Sequence, residues 1–251
     1  MAEARVILTR TDAENLRTAA AFADVGLATT ALPMIEIIDL DPILPTAPDD
    51  LLSGPISVLL TSHRGAERWL LFREGRGADL SIKCYYLVGQ RAETMLRRED
   101  PDVPIAVTGA SISDLQENII ARFPNGDSGC VLYPCSRLRR QEAVDGFRAM
   151  GLDLIELPLY EPITPPDAAE QARQILATLE PGTAITFFSP SAVDNLLSVT
   201  TPASLAPHHL VAIGATTAET LYRHGLESSV HIPHHPTLDA LISTTQNLLT
   251  P

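Results

Sequence analysis

Short apolar runs alternate along the chain with longer segments in which apolar residues recur every three or four positions. The short runs predict β-strands and the longer segments predict amphipathic helices. Strands that alternate with helices are typical of parallel sheets covered by helices on both faces, so the pattern predicts an α/β fold. Ten strands are expected: Arg5–Leu8, Leu27–Ile38 with a break at Pro33, Val58–Leu60, Tyr85–Val88, Ile105–Val107, Cys130–Tyr133, Leu154–Leu157, Ala184–Phe188, Val211–Ile213 and Val230–Ile232.

The same pattern gives finer expectations for one helix and one loop. The first helix should bury Leu16, Ala20 and Phe22 and end at Gly26, where glycine supplies the usual C-terminal cap. A loop is expected over Pro134–Arg137, directly after a buried strand.

The chain also repeats itself once. Four residues of the first half recur as the same residue type 125 positions later: Gly26 as Gly151, Pro33 as Pro158, Gly89 as Gly214 and Asp114 as Asp239. Ser62 recurs as Ser189, 127 positions later. Two copies are too few for a solenoid. They predict two similar lobes with a cleft between them, a favoured place for a small-molecule site.

Composition fits two soluble domains. The 251 residues are 45% hydrophobic, enough to build cores for two domains of about 120 residues each. No apolar run reaches the roughly 18 residues of a membrane span, and Met1 is not followed by the pattern of a secretory signal. Cys84, Cys130 and Cys135 are expected as reduced thiols, Cys130 in a strand and Cys135 in a loop, which favours a cytoplasmic location. The net charge of −13 argues against nucleic-acid or anionic-membrane surfaces.

Several predicted strands are followed by small or hydroxyl-bearing residues that open a helix. The carboxyl ends of parallel strands are where such folds bind ligands, and helix N-termini with hydroxyls suit an anion. Each loop could equally serve only as a helix cap. Gly89 begins no dinucleotide or phosphate motif, which disfavours a nucleotide. The candidate anion-binding residues are Ser62, Gly89, Gly109, Ala110, Ser111, Ser189, Pro190, Ser191, Gly214, Thr216 and Thr217.

Short motifs in order along the chain resemble the uroporphyrinogen-III synthase family: Leu8–Arg10, Leu159–Tyr160, Phe188–Val193, Ala212–Ala218 and Pro236–Asp239. The resemblance implies two flavodoxin-like lobes, parallel sheets flanked by helices, joined by two antiparallel linker strands. One lobe would be discontinuous, 1–37 plus 164–251, and the other would be 43–157. The linkers would be 38–42, leading into a Pro-rich turn, and 158–163.

The resemblance also implies a reaction. Hydroxymethylbilane, a linear tetrapyrrole with eight carboxylates, would lose water and close with inversion of its terminal ring, without a cofactor or metal. The deaminase that makes the bilane is a candidate partner. The alternative is a non-catalytic module of the same fold that binds a tetrapyrrole or a small anion.

By the same resemblance Tyr160 is expected to donate a proton to the leaving hydroxyl; the alternative is a packed hinge residue. Thr217, Ser62 and Ser189 would contact substrate or cap helices. Arg10 is expected to face the cleft or solvent, and Arg137 belongs to a basic cluster with Arg139 and Arg140 that would meet substrate carboxylates or form a solvated surface.

Three histidines close to the C-terminus, His231, His234 and His235, have a spacing that suggests a metal site. Pro233 and Pro236 prevent a helix there, and no carboxylate or thiol lies within the cluster, so a metal is disfavoured. We expect these imidazoles at the edge of the cleft, where partly protonated rings would meet substrate carboxylates.

Overall fold

The computed structural model describes residues 6–41, 54–75, 80–124, 130–139 and 141–249. Its contacts divide the chain into two compact units: unit 1, Met1–Ile37 with Ile163–Pro251, and unit 2, Ile38–Pro162. Unit 2 is therefore one continuous segment inserted into unit 1. In the part of the chain that the structure describes, no helix is both long and apolar enough to cross a membrane.

The secondary structure alternates between strands and helices along both units. The strands are β1 (Val6–Leu8), β2 (Thr29–Ala31), β3 (Glu36–Asp39), β4 (Ile56–Leu60), β5 (Ile82–Val88), β6 (Ile105–Gly109), β7 (Cys130–Ser136), β8 (Asp153–Ile163), β9 (Ala184–Phe187), β10 (His209–Ala212) and β11 (Val230–His231). The helices are α1 (Asp12–Ala23), α2 (His63–Gly75), α3 (Gln90–Glu99), α4 (Ile112–Arg122), α5 (Gln141–Ala149), α6 (Ala168–Leu176), α7 (Pro190–Val199), α8 (Pro202–Leu205), α9 (Ala215–Arg223) and α10 (Leu238–Leu249).

Unit 1 is built on a five-stranded sheet in the order β11-β10-β9-β1-β2, with every pair parallel. Helices cover both faces, so β1 is apolar at every position. Ile7 points into one core with Phe187 and Leu210, and Val6 and Leu8 point into the other. The α/β fold with parallel sheets predicted from the strand and helix pattern is confirmed.

Two buried threonines fix β1 against β9. Thr9 Oγ1 donates to the carbonyl of Thr186 at 2.7 Å, and Thr186 Oγ1 donates to the carbonyl of Ile7 at 3.0 Å. Because both hydroxyls are buried, these hydrogen bonds remove the cost of desolvating them. They join residues that are 177 and 179 positions apart in sequence.

Unit 2 holds a six-stranded sheet in the order β3-β8-β7-β4-β5-β6. The pairs β4–β5, β5–β6, β4–β7 and β7–β8 are parallel. One core of this unit packs Leu59, Tyr86 and Val131 of the sheet against Leu115 of α4 and Phe147 of α5. The parallel pairing brings the carboxyl ends of β4 to β8 to one edge of the sheet.

The helix α1 buries a different face from the expected one. Leu16 is 75% exposed and Ala20 is also exposed, and the inner positions are Asn15, Thr18 and Phe22. The cause is Asn15, whose side chain accepts from the Arg10 N–H at 3.0 Å and donates to the Arg10 carbonyl at 3.2 Å. This anchor turns Asn15 inward, and only Phe22 of the three predicted residues is buried.

The strand β7 continues through the expected loop. Its pairing with β8 runs from Cys130 to Ser136, so Cys135 is a buried strand thiol and the prediction of a loop thiol is wrong. Among the described residues β7 pairs with β4 only at Val131 and Leu132. Pro134 lies beyond that two-sided part of the strand, where its missing N–H costs least.

Candidate functional site

Most of the predicted site residues of unit 2 follow strands that end at the same edge of the sheet. Ser62 comes two residues after β4, Gly89 directly follows β5, Ala110 and Ser111 follow β6, and Arg137 follows β7. We call this the carboxyl edge of unit 2, defined by the residues that follow β4 to β7 and by Tyr160 near the end of β8.

Tyr160 and Ser62 meet at this edge. Tyr160 is 8% exposed, and its Oη lies 3.4 Å from Ser62 Oγ. Ser62 Oγ also accepts from the Gly65 N–H at 3.0 Å, which caps the start of α2. A Cβ at Gly65 would lie 3.2 Å from both Ser62 Oγ and the Pro134 carbonyl, so glycine lets the helix start approach β7 closely.

A second pair of hydroxyls lies beside the first. Tyr133 Oη lies 3.0 Å from Thr61 Oγ1, and Tyr133 is 4% exposed. Burial raises the pKa of Tyr133; the hydrogen bond with Thr61 lowers it, and the neighbouring Cys135, Tyr160 and Glu156 raise it further. The phenol is therefore protonated at neutral pH and can donate a hydrogen bond.

The loop after β6 depends on a glycine and on a local carboxylate. A Cβ at Gly109 would lie 2.4 Å from the backbone nitrogen of Leu115, so only glycine fits there. Asp114 Oδ2 accepts from the Ala110 N–H at 2.6 Å, and Ser111 Oγ accepts from the Asp114 N–H at 3.1 Å. These N–H groups thus already bind a side chain of the same helix, as the capping alternative requires.

The arginines of the predicted basic cluster are paired with carboxylates. Arg137 Nη1 lies 2.8 Å from Glu161 Oε2, and Arg139 forms an ion pair with Glu156. Arg140 lies outside the described residues. A substrate carboxylate at this place would have to share or replace Glu161 as the partner of Arg137.

Unit 1 has a corresponding carboxyl edge, formed by the residues that follow β1, β9 and β10. Arg10 lies there after β1, with its guanidinium 4.4 Å from the centre of the Phe188 ring and Nη2 2.9 Å from Glu14 Oε1. Its Nη1 also donates to Thr18 Oγ1 at 3.3 Å. These contacts hold Arg10 at the edge of the sheet beside the loop that follows β9.

The helices that begin at this edge carry the remaining predicted residues. Ser189 Oγ accepts from the Ala192 N–H at 3.3 Å and caps α7, whose first residue is Pro190; Ser191 is exposed. Gly214 caps α9 without a side chain. In the first turn of α9, Thr216 is exposed and Thr217 is buried, with 3% of its surface exposed.

The three predicted histidines differ in their surroundings. His231 lies in β11 with its Nε2 3.2 Å from His209 Nδ1, and burial followed by the nearby His209 lowers its pKa. His234 and His235 are exposed. Within the described ranges no group of three or more histidine, cysteine, aspartate or glutamate side chains is arranged to hold a metal ion.

Comparison with known proteins decides the family. The model of the family described as uroporphyrinogen-III synthase HemD matches residues 17–243, which is most of the chain. The chain belongs to the uroporphyrinogen-III synthase family. No relative is found among curated protein sequences.

Solved uroporphyrinogen-III synthases have a similar fold. The enzyme from Helicobacter pylori is similar with a TM-score of 0.64 at 16% identity, over 98% of this chain and all of the other. A triple mutant of the enzyme from Thermus thermophilus gives a TM-score of 0.62 at 15% identity, over 98% of this chain and 99% of the other. At this identity the likeness supports the fold alone.

Two of the motifs that suggested uroporphyrinogen-III synthase have the same place in the fold. Phe188–Val193 begins directly after β9 and includes the start of α7, and Ala212–Ala218 runs from the last residue of β10 into the start of α9. Within unit 2 the structure brings Ser62 and Tyr160 into contact. The roles of the predicted substrate-binding residues in a uroporphyrinogen-III synthase reaction stay predictions.

The sequence alone did not single out Tyr133 or Thr61. One signal was available: Tyr133 is the only residue with a hydroxyl in the predicted strand Cys130–Tyr133. A buried tyrosine usually finds a partner for its hydroxyl. The partner lies 72 residues earlier in the chain, so its identity requires the structure.

Proposed function

We propose that the chain is a uroporphyrinogen-III synthase, a lyase that converts hydroxymethylbilane into the type III macrocycle with loss of water and inversion of the terminal ring. Membership of the family over residues 17–243 carries this proposal. The contact between Tyr160 and Ser62 supports the proposal, because it holds a phenolic hydroxyl, a possible proton donor, at the carboxyl edge of unit 2. The reaction is proposed to need no cofactor.

Tyr160 is the proposed proton donor. As the carbon–oxygen bond of the hydroxymethyl group breaks, the phenol protonates the departing oxygen, so that water leaves and an azafulvene that is still protonated on its ring nitrogen forms beside the phenolate. The substituted carbon of the terminal ring then attacks, and the spiro intermediate fragments and closes again. A proton lost from carbon in the final step returns to the phenolate. Such general-acid help is worth about 10²-fold or more.

Substrate recognition has to overcome an unfavourable overall charge. The net charge of −13 repels a substrate with eight carboxylates, but at physiological ionic strength screening acts over about 8 Å. Local donors therefore decide binding. We propose Arg10, Arg137 and the hydroxyls of Ser62, Ser111, Ser189, Ser191, Thr216 and Thr217 as these donors. Gly89, Gly109, Ala110, Pro190 and Gly214 are proposed to contact the substrate as part of the same loops.

The cellular setting is also a proposal. All three cysteines are free and buried, which fits a reducing compartment such as the cytoplasm. Hydroxymethylbilane closes on its own in water, so rapid transfer from the bilane-forming deaminase would protect it.

The product isomer tests the proposal. Hydroxymethylbilane left in water closes without inversion to the type I isomer, because the unsubstituted end carbon attacks more easily. Purified protein, treated with a chelator and given no cofactor, should yield mainly the type III isomer, measured by chromatography of the oxidised products. Folded protein that binds the bilane and leaves the product type I would contradict the proposal and favour the non-catalytic binding module.

A further inference from the structure

Tyr133 and Thr61 form a partly buried hydrogen bond next to the contact between Ser62 and Tyr160. The two tyrosines come from neighbouring strands, β7 and β8, and the two smaller residues are consecutive. The distances are 3.0 Å for Tyr133 Oη to Thr61 Oγ1 and 3.4 Å for Tyr160 Oη to Ser62 Oγ. The dipeptide after β4 is thus held by one phenol at each of its residues.

Thr61 and Ser62 are joined by a peptide bond, so the contact of Thr61 with Tyr133 and the contact of Ser62 with Tyr160 depend on each other. Thr61 has left β4 and α2 begins at His63, so Thr61 and Ser62 lie between a strand and a helix. The helix start is fixed by the bond from the Gly65 N–H to Ser62 Oγ, and Thr61 is fixed by Tyr133. Without the Tyr133 hydroxyl, Thr61 would lose its buried partner and the backbone that carries Ser62 could turn.

We infer that Tyr133 is a positioning residue for the proposed reaction: through Thr61 it holds Ser62 in the orientation that places the Tyr160 hydroxyl. This inference rests on the proposed function. The raised pKa of Tyr133 agrees with it, because the phenol then stays a neutral hydrogen-bonding group near pH 7. The ring of Tyr133 belongs to a core with Val131 and Leu59, so Tyr133→Phe removes the hydroxyl and keeps the packing.

Tyr85 provides a matched control in the same sheet. Tyr85 is 1% exposed, and its hydroxyl accepts from Trp69 Nε1 at 3.1 Å and Arg73 Nη1 at 3.3 Å. Tyr85→Phe therefore removes a buried, hydrogen-bonded phenol that does not contact Thr61 or Ser62. It should lower the melting temperature and leave kcat within twofold of the wild type.

The experiment measures kcat and KM for formation of the type III isomer in the wild type, Tyr133→Phe, Thr61→Val, Tyr160→Phe and the double variant Tyr133→Phe/Tyr160→Phe. Tyr133→Phe and Thr61→Val should each lower kcat roughly three- to tenfold with KM nearly unchanged, as expected when a single neutral hydrogen bond that orients a catalytic group is lost. The double variant should be no slower than Tyr160→Phe alone, because Tyr133 acts only by positioning the Tyr160 hydroxyl, which is already absent.

The outcomes separate this inference from the proposed function. A wild type that leaves only type I product removes the proposed function and the inference with it. An active wild type with Tyr133→Phe within twofold of its kcat overturns the inference alone. If Tyr133→Phe does not fold, Thr61→Val decides by the same criterion. If Tyr133→Phe lowers kcat by the same factor in the Tyr160→Phe background as in the wild type, Tyr133 acts independently of Tyr160, and this result would also overturn the inference.

Discussion

The phenolic oxygen of Tyr160 lies 3.4 Å from Oγ of Ser62, and the same Oγ accepts the Gly65 N–H at 3.0 Å. Ser62 therefore caps a helix and contacts the proposed proton donor at once. The capping and functional interpretations of this serine, which the sequence leaves open, are compatible. A substitution at Ser62 should affect stability and turnover together, whereas one at Tyr160 should separate them.

Tyr160→Phe should lower turnover of hydroxymethylbilane by roughly 10- to 100-fold, since the proton donor is lost. The melting temperature should change little, because the ring still fills its buried site and only a long hydrogen bond disappears. Steady-state kinetics and thermal unfolding measure the two effects. Unchanged turnover would remove Tyr160 from the mechanism, and a large fall in melting temperature would favour the packed-hinge alternative.

Ser62→Ala should destabilise the protein by about 1 kcal/mol, the usual cost of losing a helix cap, and should also reduce kcat. Thr237→Ala is the control: Thr237 Oγ1 accepts from the Ala240 N–H at 3.3 Å and caps α10. Denaturant unfolding should give both variants a similar loss of stability, and only Ser62→Ala should lose turnover. Equal kcat in the two variants would leave Ser62 with a capping role alone.

Gly89 and Gly214 occupy equivalent positions in the sequence repeat but differ in backbone conformation. Gly89 has φ +84°, which strains any other residue, whereas Gly214 has φ −171° and a Cβ there would lie 3.6 Å from Pro236 Cβ. Gly89→Ala should cost roughly 1–2 kcal/mol of unfolding free energy. Gly214→Ala should cost less, about 0.5 kcal/mol, because alanine is a poorer N-cap than glycine but is not strained at this φ. Equal losses in urea denaturation would contradict the difference.

Cys135 should make the fold less stable in alkali. Burial raises the pKa of its thiol from 9.0 to about 12, so between these values the folded protein keeps a proton that the unfolded chain releases. Stability is then fully present below pH 9 and falls as the pH rises towards 12. Urea midpoints at pH 8 and pH 10 measure the loss. Cys135→Ala should show a smaller loss; an identical loss would mean that Cys135 does not titrate in this way.

Helix caps depend on residues close in sequence and could be predicted. The buried face of a helix, the length of a strand and the partner of a buried hydroxyl depend on contacts that sequence patterns do not show. Ser62 and Ser189 were recognised as possible caps because the helix they open follows within a residue. The inner face of α1 was predicted wrongly because Asn15 binds the Arg10 backbone, and apolar spacing does not reveal such an anchor. The length of β7 depends on its pairing with β8, and the partner of Tyr133 lies on another strand.

The bond between Thr9 and Thr186 has a consequence for how the protein is made. During synthesis, Thr9 at the end of β1 cannot bind Thr186 of β9 until 177 further residues have been added, which takes roughly 10–35 s at 5–20 residues per second. Unit 2, a continuous segment, is complete in the nascent chain before β9 exists. The edge of β1 that faces β2 can pair early, but its other edge stays unpaired until β9 is made, so slow translation should prolong the time in which that edge can aggregate or bind a chaperone.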